Sequence, residues 1–251
     1  MKFLAIIPAR YASTRFPAKP LAILGEKPVI QHVYERVSSI LDAVVATDDE
    51  RIYNVVKAFG GRVVMTSTEH RTGTDRCLEA YNNFGIEADV VINVQGDEPF
   101  IAEKQIFGLM QCFDNPQTDI ATLIKPFPTT ATFDVLSNPN TPKVVVNPKG
   151  QAIYFSRSVI PYLRGKDENE WASLQTYYKH VGIYAYRVEA LKQITQMSQT
   201  PLELSESLEQ LRWLENGLTI QTAVTDIETI GIDTPEDLYK AEQYLKQKEL
   251  F

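Results

Sequence analysis

Phe3-Leu4-Ala5-Ile6-Ile7-Pro8-Ala9-Arg10-Tyr11-Ala12-Ser13-Thr14-Arg15-Phe16-Pro17-Ala18-Lys19-Pro20 opens as an apolar run and breaks at Pro8 into a loop crowded with polar groups. The run from Phe3 to Ile7 reads as a buried strand. The loop after it offers the cations Arg10, Arg15 and Lys19 and the hydroxyls of Ser13 and Thr14. In open α/β sheets, ligands collect just beyond the carboxyl ends of strands. Guanidinium and ammonium groups placed there suit phosphate oxygens, which they bind by charge-assisted hydrogen bonds. A solvated basic turn would have the same composition, so the loop takes its meaning from the rest of the chain.

Outward from this loop, strand and helix patterns alternate. Val29, Ile30, Val33, Val37, Ile40 and Leu41 fall at helical spacing, and a strand over 43–47 stops at Asp48-Asp49. A helix over 51–59 meets a stop signal in Gly60-Gly61. A strand over 62–66 and a helix over 74–84, with Asp75 in its first turn, come next. Residues 89–95 form a continuous apolar run of the kind buried on both faces, ending in Gly96-Asp97-Glu98-Pro99. A helix over 103–113 and a strand over 120–124 complete an alternation that predicts an α/β fold with a mostly parallel sheet.

The second half is less regular. Residues 126–142, rich in Pro, Thr and Asn, read as a loop. Strands over 144–146 and 152–155 flank Asn147-Pro148-Lys149-Gly150 as a hairpin, and 166–170 is a polar surface segment. A strand over 181–187 places Tyr184 and Tyr186 on one face. A helix over 201–214, a strand over 218–224 and a helix over 235–245 follow. The last helix starts with Thr234 as N-cap, Pro235 at the first position, and Glu236 and Asp237 in the first turn.

A chain of 251 residues fits one large α/β domain with a smaller lobe. The net charge of −7 argues against a nucleic-acid partner, which would demand a basic face. The basic loop is therefore a local device for a small anion. Cys77 and Cys112 are too few for a disulfide framework and read as core thiols in a reducing compartment. The apolar start is too short for a secretion signal or a membrane span, so a cytoplasmic protein with no membrane partner is expected. The glycine patterns of dinucleotide and P-loop sites are absent, as is the Gly-x-Ser-x-Gly elbow of a serine hydrolase.

Asp97 follows the most buried strand, where a carboxylate faces the ligand crevice and suits a hard cation such as Mg²⁺. Asp233, in Ile230-Gly231-Ile232-Asp233-Thr234-Pro235-Glu236-Asp237, stands just before a helix, where ordinary capping chemistry uses the same residues. If both carboxylates converged, they would hold a divalent cation against phosphates. In Glu69-His70-Arg71-Thr72-Gly73-Thr74-Asp75-Arg76, Gly73 permits close backbone approach and the helix-start amides favour anions. Arg157, His180 and the pair Glu209-Gln210 read by themselves equally well as packing or surface residues.

Together these segments resemble the 3-deoxy-manno-octulosonate cytidylyltransferase family, the CMP-KDO synthetases. The resemblance runs in order from Ile6–Leu21 through Val45-Ala46-Thr47-Asp48, Met65-Thr66, His70–Arg76, Val94–Pro99 and Tyr154-Phe155-Ser156-Arg157. It continues in His180–Tyr184, Pro201-Leu202-Glu203, Leu208–Arg212 and Gly231–Leu238. It implies a three-layer Rossmann-like nucleotidyltransferase fold, with a mostly parallel central sheet and a smaller β-containing lobe. Within a single domain over 1–251 it implies a nucleotide-binding core over 1–125, sugar-binding and dimerisation elements over 126–225, and a metal-binding turn with the C-terminal helix over 226–251.

The implied reaction joins CTP and KDO (3-deoxy-D-manno-octulosonate) to give CMP-KDO and pyrophosphate for lipopolysaccharide biosynthesis, with Mg²⁺ as cofactor and a homodimer as the assembly. Arg10, Ser13, Arg15 and Lys19 inherit the triphosphate, and Thr72, Gly73, Thr74, Arg76 and Gln95 the nucleotide pocket. Asp97 and Asp233 inherit the metal, and with Arg10 and Lys19 they form the implied catalytic set. Arg157, His180, Tyr184, Glu209 and Gln210 inherit the sugar acid, while Tyr186 nearby reads as packing. Arg71 and Thr72 depart from the family pattern, which leaves the nucleotide contacts there open. A sialic-acid type of cytidylyltransferase and a nucleotide-binding regulator without turnover are the alternatives.

Overall fold

The apolar run that opens the chain becomes β1 (Phe3–Ala9), with Leu4, Ala5, Ile6 and Ile7 wholly buried. Burying each of the larger side chains contributes about 1.5–3 kcal/mol. The computed structural model describes residues 1–12, 15–70, 72–228 and 230–249, the last two by backbone alone. Ser13, Thr14 and Arg71 therefore lie outside the described residues. The chain divides into two units, Met1–Glu103 with Glu228–Phe251, and Lys104–Ile227.

In the first unit a small antiparallel hairpin, β2 (Ile23–Leu24) and β3 (Lys27–Pro28), leads into α1 (Val29–Ser38). Val29, Ile30, Val33 and Val37 form the buried stripe of α1. Ile40 and Leu41, placed on the same periodicity, fall in the turn beyond the helix, where their amides bond Val37 O at 3.0 and 3.2 Å. β4 (Asp42–Thr47), α2 (Glu50–Ala58), β5 (Val63–Met65), α3 (Gly73–Phe84) and β6 (Val90–Asn93) follow. β1 pairs in parallel with β4 and β6, and β4 in parallel with β5. The parallel sheet matches the alternation in the sequence, and β6 is buried at all four positions, as a strand covered on both faces should be.

The second unit contains α4 (Glu103–Gln111) from Lys104 onward, β7 (Ile120–Pro126), α5 (Phe133–Ser137), β8 (Lys143–Val146), β9 (Ala152–Ser156), α6 (Trp171–Leu174), β10 (Tyr178–Arg187), α7 (Val188–Ile194), α8 (Pro201–Glu206), α9 (Glu209–Glu215) and β11 (Ile220–Val224). β7 lies between β11, parallel to it, and β10, antiparallel to it. β8 pairs antiparallel with both β10 and β9, so the predicted hairpin forms.

Two expectations are corrected here. The predicted loop over 126–142 contains α5, whose Leu136 is buried against Trp171 and Tyr177. The single helix expected over 201–214 is two, because Ser207 adopts the left-handed conformation at φ 50° and ends α8. The short helices α6 and α7 were not anticipated. Cys77 and Cys112 are buried thiols outside any disulfide, as expected, and burial beside Asp114 pushes the Cys112 thiol up to about 12.

The chain returns to the first unit for α10 (Pro235–Glu249). Thr234 caps it: its hydroxyl accepts from Asp237 N at 3.2 Å, while the Asp237 carboxylate accepts from Thr234 N at 3.0 Å. Just before the cap, Ile232 is wholly buried in a cluster with Leu24, Val29, Phe100 and Ala241. Its amide donates to Asp97 O at 2.9 Å, which fixes the closing turn against the loop after β6.

Candidate active site

A cleft of about 360 Å³ opens in the first unit where β1 and β6 end. Arg10, Arg15, Lys19, Gly73, Arg76, Gln95, Asp97 and Asp233 line it, together with Pro8, Ala9, Ala12, Pro20 and Gly96. Eight of the residues expected to handle nucleotide or metal thus share one cavity. Thr72 and Thr74 flank Gly73 at the start of α3 without lining the cleft. A second cleft, of about 470 Å³ beside Gly25, His32 and Glu242, shares no residue with it.

Lys19 stands at the centre of the charged groups. Ala18 N bonds Tyr11 O at 2.9 Å, closing the loop, and a 3-10 turn over Lys19–Leu21 then aims the lysine into the cleft. Its Nζ donates to the Asp97 carboxylate and to Asp233 Oδ1 at 2.9 Å. Arg15 Nη2 reaches Asp233 Oδ2 at 3.0 Å. Burial opposes the charge on Lys19, but Asp97 and then Asp233 outweigh it and hold the pKa above its ordinary 10.5. Two carboxylates from distant segments therefore converge on one cation.

This donor set suits a hard divalent ion bound through one or two carboxylates and completed by substrate phosphates. Among the described residues no cluster of three or more His, Cys, Asp or Glu side chains is arranged for a metal.

Behind this row, Asp48 ties two arginines together. Its Oδ2 lies 2.6 Å from Arg76 Nη2 and 3.5 Å from Arg10 Nε, and Arg76 Nη1 donates to Thr66 Oγ1 at 2.5 Å. Arg76 is almost wholly buried, so its charge is spent on this network as well as on the cleft wall. Asp48 ends the strand predicted over 43–47 but carried no functional expectation. The available signal was its place, an acid at the carboxyl end of a parallel strand. Arg51, held by Asp49, lays its guanidinium 3.3 Å from the centre of the Tyr11 ring and pins the loop from outside.

The start of α3, whose Gly73 lines the cleft, is also fixed. Thr72 accepts from Asp75 N at 3.2 Å, and the Asp75 carboxylate accepts from Thr72 N at 3.3 Å. Glu79 accepts Ser67 N at 2.8 Å and pairs with His70, which ties down the preceding loop. At Gly96 the backbone passes so close to β1 that a Cβ would sit 2.6 Å from Pro8 O. Only glycine fits there. Next to Asp97, burial and then the Asp97 charge push the Glu98 carboxyl up to about 7.

Arg157, His180, Tyr184, Glu209 and Gln210, expected to hold the sugar, all belong to the second unit. His180 Nε2 lies 3.0 Å from Thr122 Oγ1, with its ring against Phe155 and Tyr184. Burial lowers the His180 pKa to about 4 and raises that of Tyr184 well above 10, so both stay uncharged near neutrality. Tyr184 and Tyr186 both set their rings edge-on to Trp213 of α9, with centroids 5.0 and 5.6 Å away. Tyr186 is wholly buried, in keeping with a packing residue.

Gln210 is 4% exposed, and its Nε2 has no protein partner. Arg157 donates to three carbonyls, Glu206 O at 2.6 Å, Pro139 O at 2.8 Å and Ser207 O at 3.2 Å, which commits much of its fork to the backbone.

The sequence profile of the cytidylyltransferase family matches residues 4–249. A 3-deoxy-manno-octulosonate cytidylyltransferase of Phocaeicola vulgatus is 62% identical over 250 residues, covering 99% of each chain. One of Bacteroides thetaiotaomicron is also 62% identical, covering 99% of this chain and all of its own. A solved structure of CMP:2-keto-3-deoxy-manno-octonic acid synthetase complexed with CTP superposes with a TM-score of 0.90 at 42% identity, covering 99% of this chain and 100% of that one. The chain belongs to the cytidylyltransferase family, within its group of 3-deoxy-manno-octulosonate cytidylyltransferases.

Proposed function

We propose that this protein transfers the cytidylyl group of CTP to KDO, giving CMP-KDO and pyrophosphate. The observation that carries the reading is the row Arg10, Arg15 and Lys19 set against the paired carboxylates Asp97 and Asp233 in one cleft at strand ends. The matching solved structure holds CTP, which supports the nucleotide. The names of the full-length relatives support the sugar acid.

The anomeric hydroxyl of KDO attacks the α-phosphorus in line, its O–P bond forming as the bond to the β-phosphate oxygen breaks. No enzyme nucleophile is required, so catalysis is positioning together with stabilisation of phosphate charge. Arg10, Arg15 and Lys19 hold the phosphate oxygens and offset the charge that accumulates on pyrophosphate. The Gly73 and Thr74 amides at the start of α3 supply further donors for an anion.

Asp97 and Asp233 would hold Mg²⁺, which when bound draws charge from the phosphate oxygens. The sugar acid falls to the second unit. There the neutral His180 and Tyr184 act as hydrogen-bonding groups, Gln210 offers a buried unpartnered donor, and Arg157 meets the carboxylate.

The enzyme would work in the cytoplasm and supply lipopolysaccharide assembly. No helix among the described residues is long and apolar enough to cross a membrane. A homodimer fits the half-exposed Ile153 on β9, whose strand partner in the sheet is β8. Pyrophosphate release with CTP, KDO and Mg²⁺ tests the reading, with N-acetylneuraminate, UTP and ATP as swaps. Release that requires CTP and KDO together supports it. Release with N-acetylneuraminate instead moves the substrate, and CTP binding without release from any acid leaves a regulator.

A further inference from the structure

The joint between α8 and α9 is held by Glu206, a residue that the proposed chemistry leaves unused. Glu206, the last residue of α8, accepts the Ser156 hydroxyl on Oε1 at 2.5 Å and the Arg157 amide on Oε2 at 2.9 Å. Its own carbonyl accepts Arg157 Nε at 2.6 Å, and the next carbonyl, Ser207 O, accepts Arg157 Nη2 at 3.2 Å. The end of β9 and the end of α8 are therefore bound reciprocally, side chain to backbone in both directions.

Ser207 then takes its left-handed turn, Leu208 N returns to Glu203 O at 3.3 Å, and α9 starts at once with Glu209 and Gln210. The direction in which α9 leaves the joint sets where those two side chains point. A short helix of seven residues cannot fix this by its own hydrogen bonds. Glu203 braces its far side, with its carboxylate bridged by Arg212 Nε and Nη2 at 2.8 and 2.7 Å.

We propose that Glu206 is a positioning residue for the sugar acid: by fastening the α8–α9 joint to Ser156 and Arg157 it aims Glu209 and Gln210. This rests on the assignment of Glu209 and Gln210 to KDO. Glu206 need not touch substrate. Its carboxylate supplies two acceptors to two donors, and no uncharged side chain of that length does so. Glutamine presents one acceptor and one donor, so with Oε1 on the Arg157 amide it can only donate to the Ser156 hydroxyl, which loses the acceptor it has in Glu206.

The test compares Glu206→Ala, Glu206→Gln and Ser156→Ala in the full-length protein, with Glu209→Gln as reference. Steady-state pyrophosphate release is followed while each substrate is varied, and CTP binding is measured by calorimetry. Glu206→Ala should lower kcat/KM for KDO about 10–100-fold, the scale expected when reacting groups are misplaced by about an ångström. The KM and Kd for CTP should stay within about 2-fold. Glu206→Gln should fall between this variant and the unsubstituted protein. Ser156→Ala, which removes the bond to Glu206 and the one accepted from Ser158 N at 3.0 Å, gives the same direction if Glu206→Ala does not fold.

A lowered Tm with kcat/KM for KDO unchanged overturns the positioning role and leaves a structural one. Equal losses toward CTP and KDO also overturn it. If Glu209→Gln impairs KDO use and the Glu206 variants do not, the positioning role fails and the sugar assignment stands. If neither affects KDO use, the sugar assignment fails and takes the positioning role with it.

Discussion

Lys19 Nζ and Asp233 Oδ1 stand 2.9 Å apart although 214 positions separate them in the chain. With Asp97 on the same ammonium, the pair marks where positive charge is wanted between two acids. Asp97→Asn keeps the shape and removes one of the two charges. Turnover should fall about 10²-fold or more at saturating Mg²⁺, the scale seen when an electrostatic partner of the transition state is lost. Pyrophosphate release by the purified variant measures this, and near-normal turnover would place the metal elsewhere.

Gly96 makes a second prediction. A methyl group there meets Pro8 O at 2.6 Å, and neither backbone has a flexible end that can yield. Gly96→Ala should displace the loop carrying Asp97 and cost about 1–3 kcal/mol of stability, as overpacking of close contacts does. Urea unfolding reads the stability, and turnover should drop with the CTP-independent fold still intact by circular dichroism.

His180 gives a pH signature. Its folded pKa, about 4 through burial, lies below the ordinary 6.5. Between these values the unfolded chain takes up a proton that the folded one refuses, so stability is lost as pH falls from about 6.5 to about 4. The Tm of the unsubstituted protein should fall over that window more steeply than that of His180→Gln. Parallel slopes in the two proteins would mean that the histidine is charged when folded.

Arg212 and Glu203 form a pair with both residues at most 8% exposed. Arg212→Met leaves the Glu203 charge buried without its fork and should cost about 3–5 kcal/mol in urea unfolding. Replacing both, as Arg212→Met with Glu203→Leu, should recover much of that loss, because the uncompensated charge is then gone as well.

Much of the first unit was legible because local signals agree with the tertiary result. The apolar runs that became β1, β4 and β6 are buried nearly throughout, and the Thr72–Asp75 and Thr234–Asp237 pairs cap the helices they precede. The break at Ser207 was not legible. A left-handed residue that is neither glycine nor asparagine leaves no mark in composition, and the bonds that hold the joint, Ser156 to Glu206 and Arg157 to Ser207, each span 50 positions. α5 was hidden for a similar reason, since its stability comes from Leu136 packing on Trp171 rather than from local propensity.

The site divides in the same way. Arg10, Lys19 and Asp97 were marked by their places after strands. The convergence of Asp97 with Asp233, and the Asp48 tie between Arg10 and Arg76, depend on the sheet bringing separate segments together.

The first unit is assembled from two stretches, Met1–Glu103 and Glu228–Phe251, with the whole second unit between them in sequence. A ribosome therefore delivers β1, the cationic loop and Asp97 long before Ile232 and Asp233 emerge to join them. Until Ile232 and Asp233 are made, the cleft lacks one of its acids and the turn that bonds to Asp97. A chain stopped before Ile232 carries the loop without the means to complete it. Completion of the cleft is thus coupled to synthesis of the segment that carries Ile232 and Asp233.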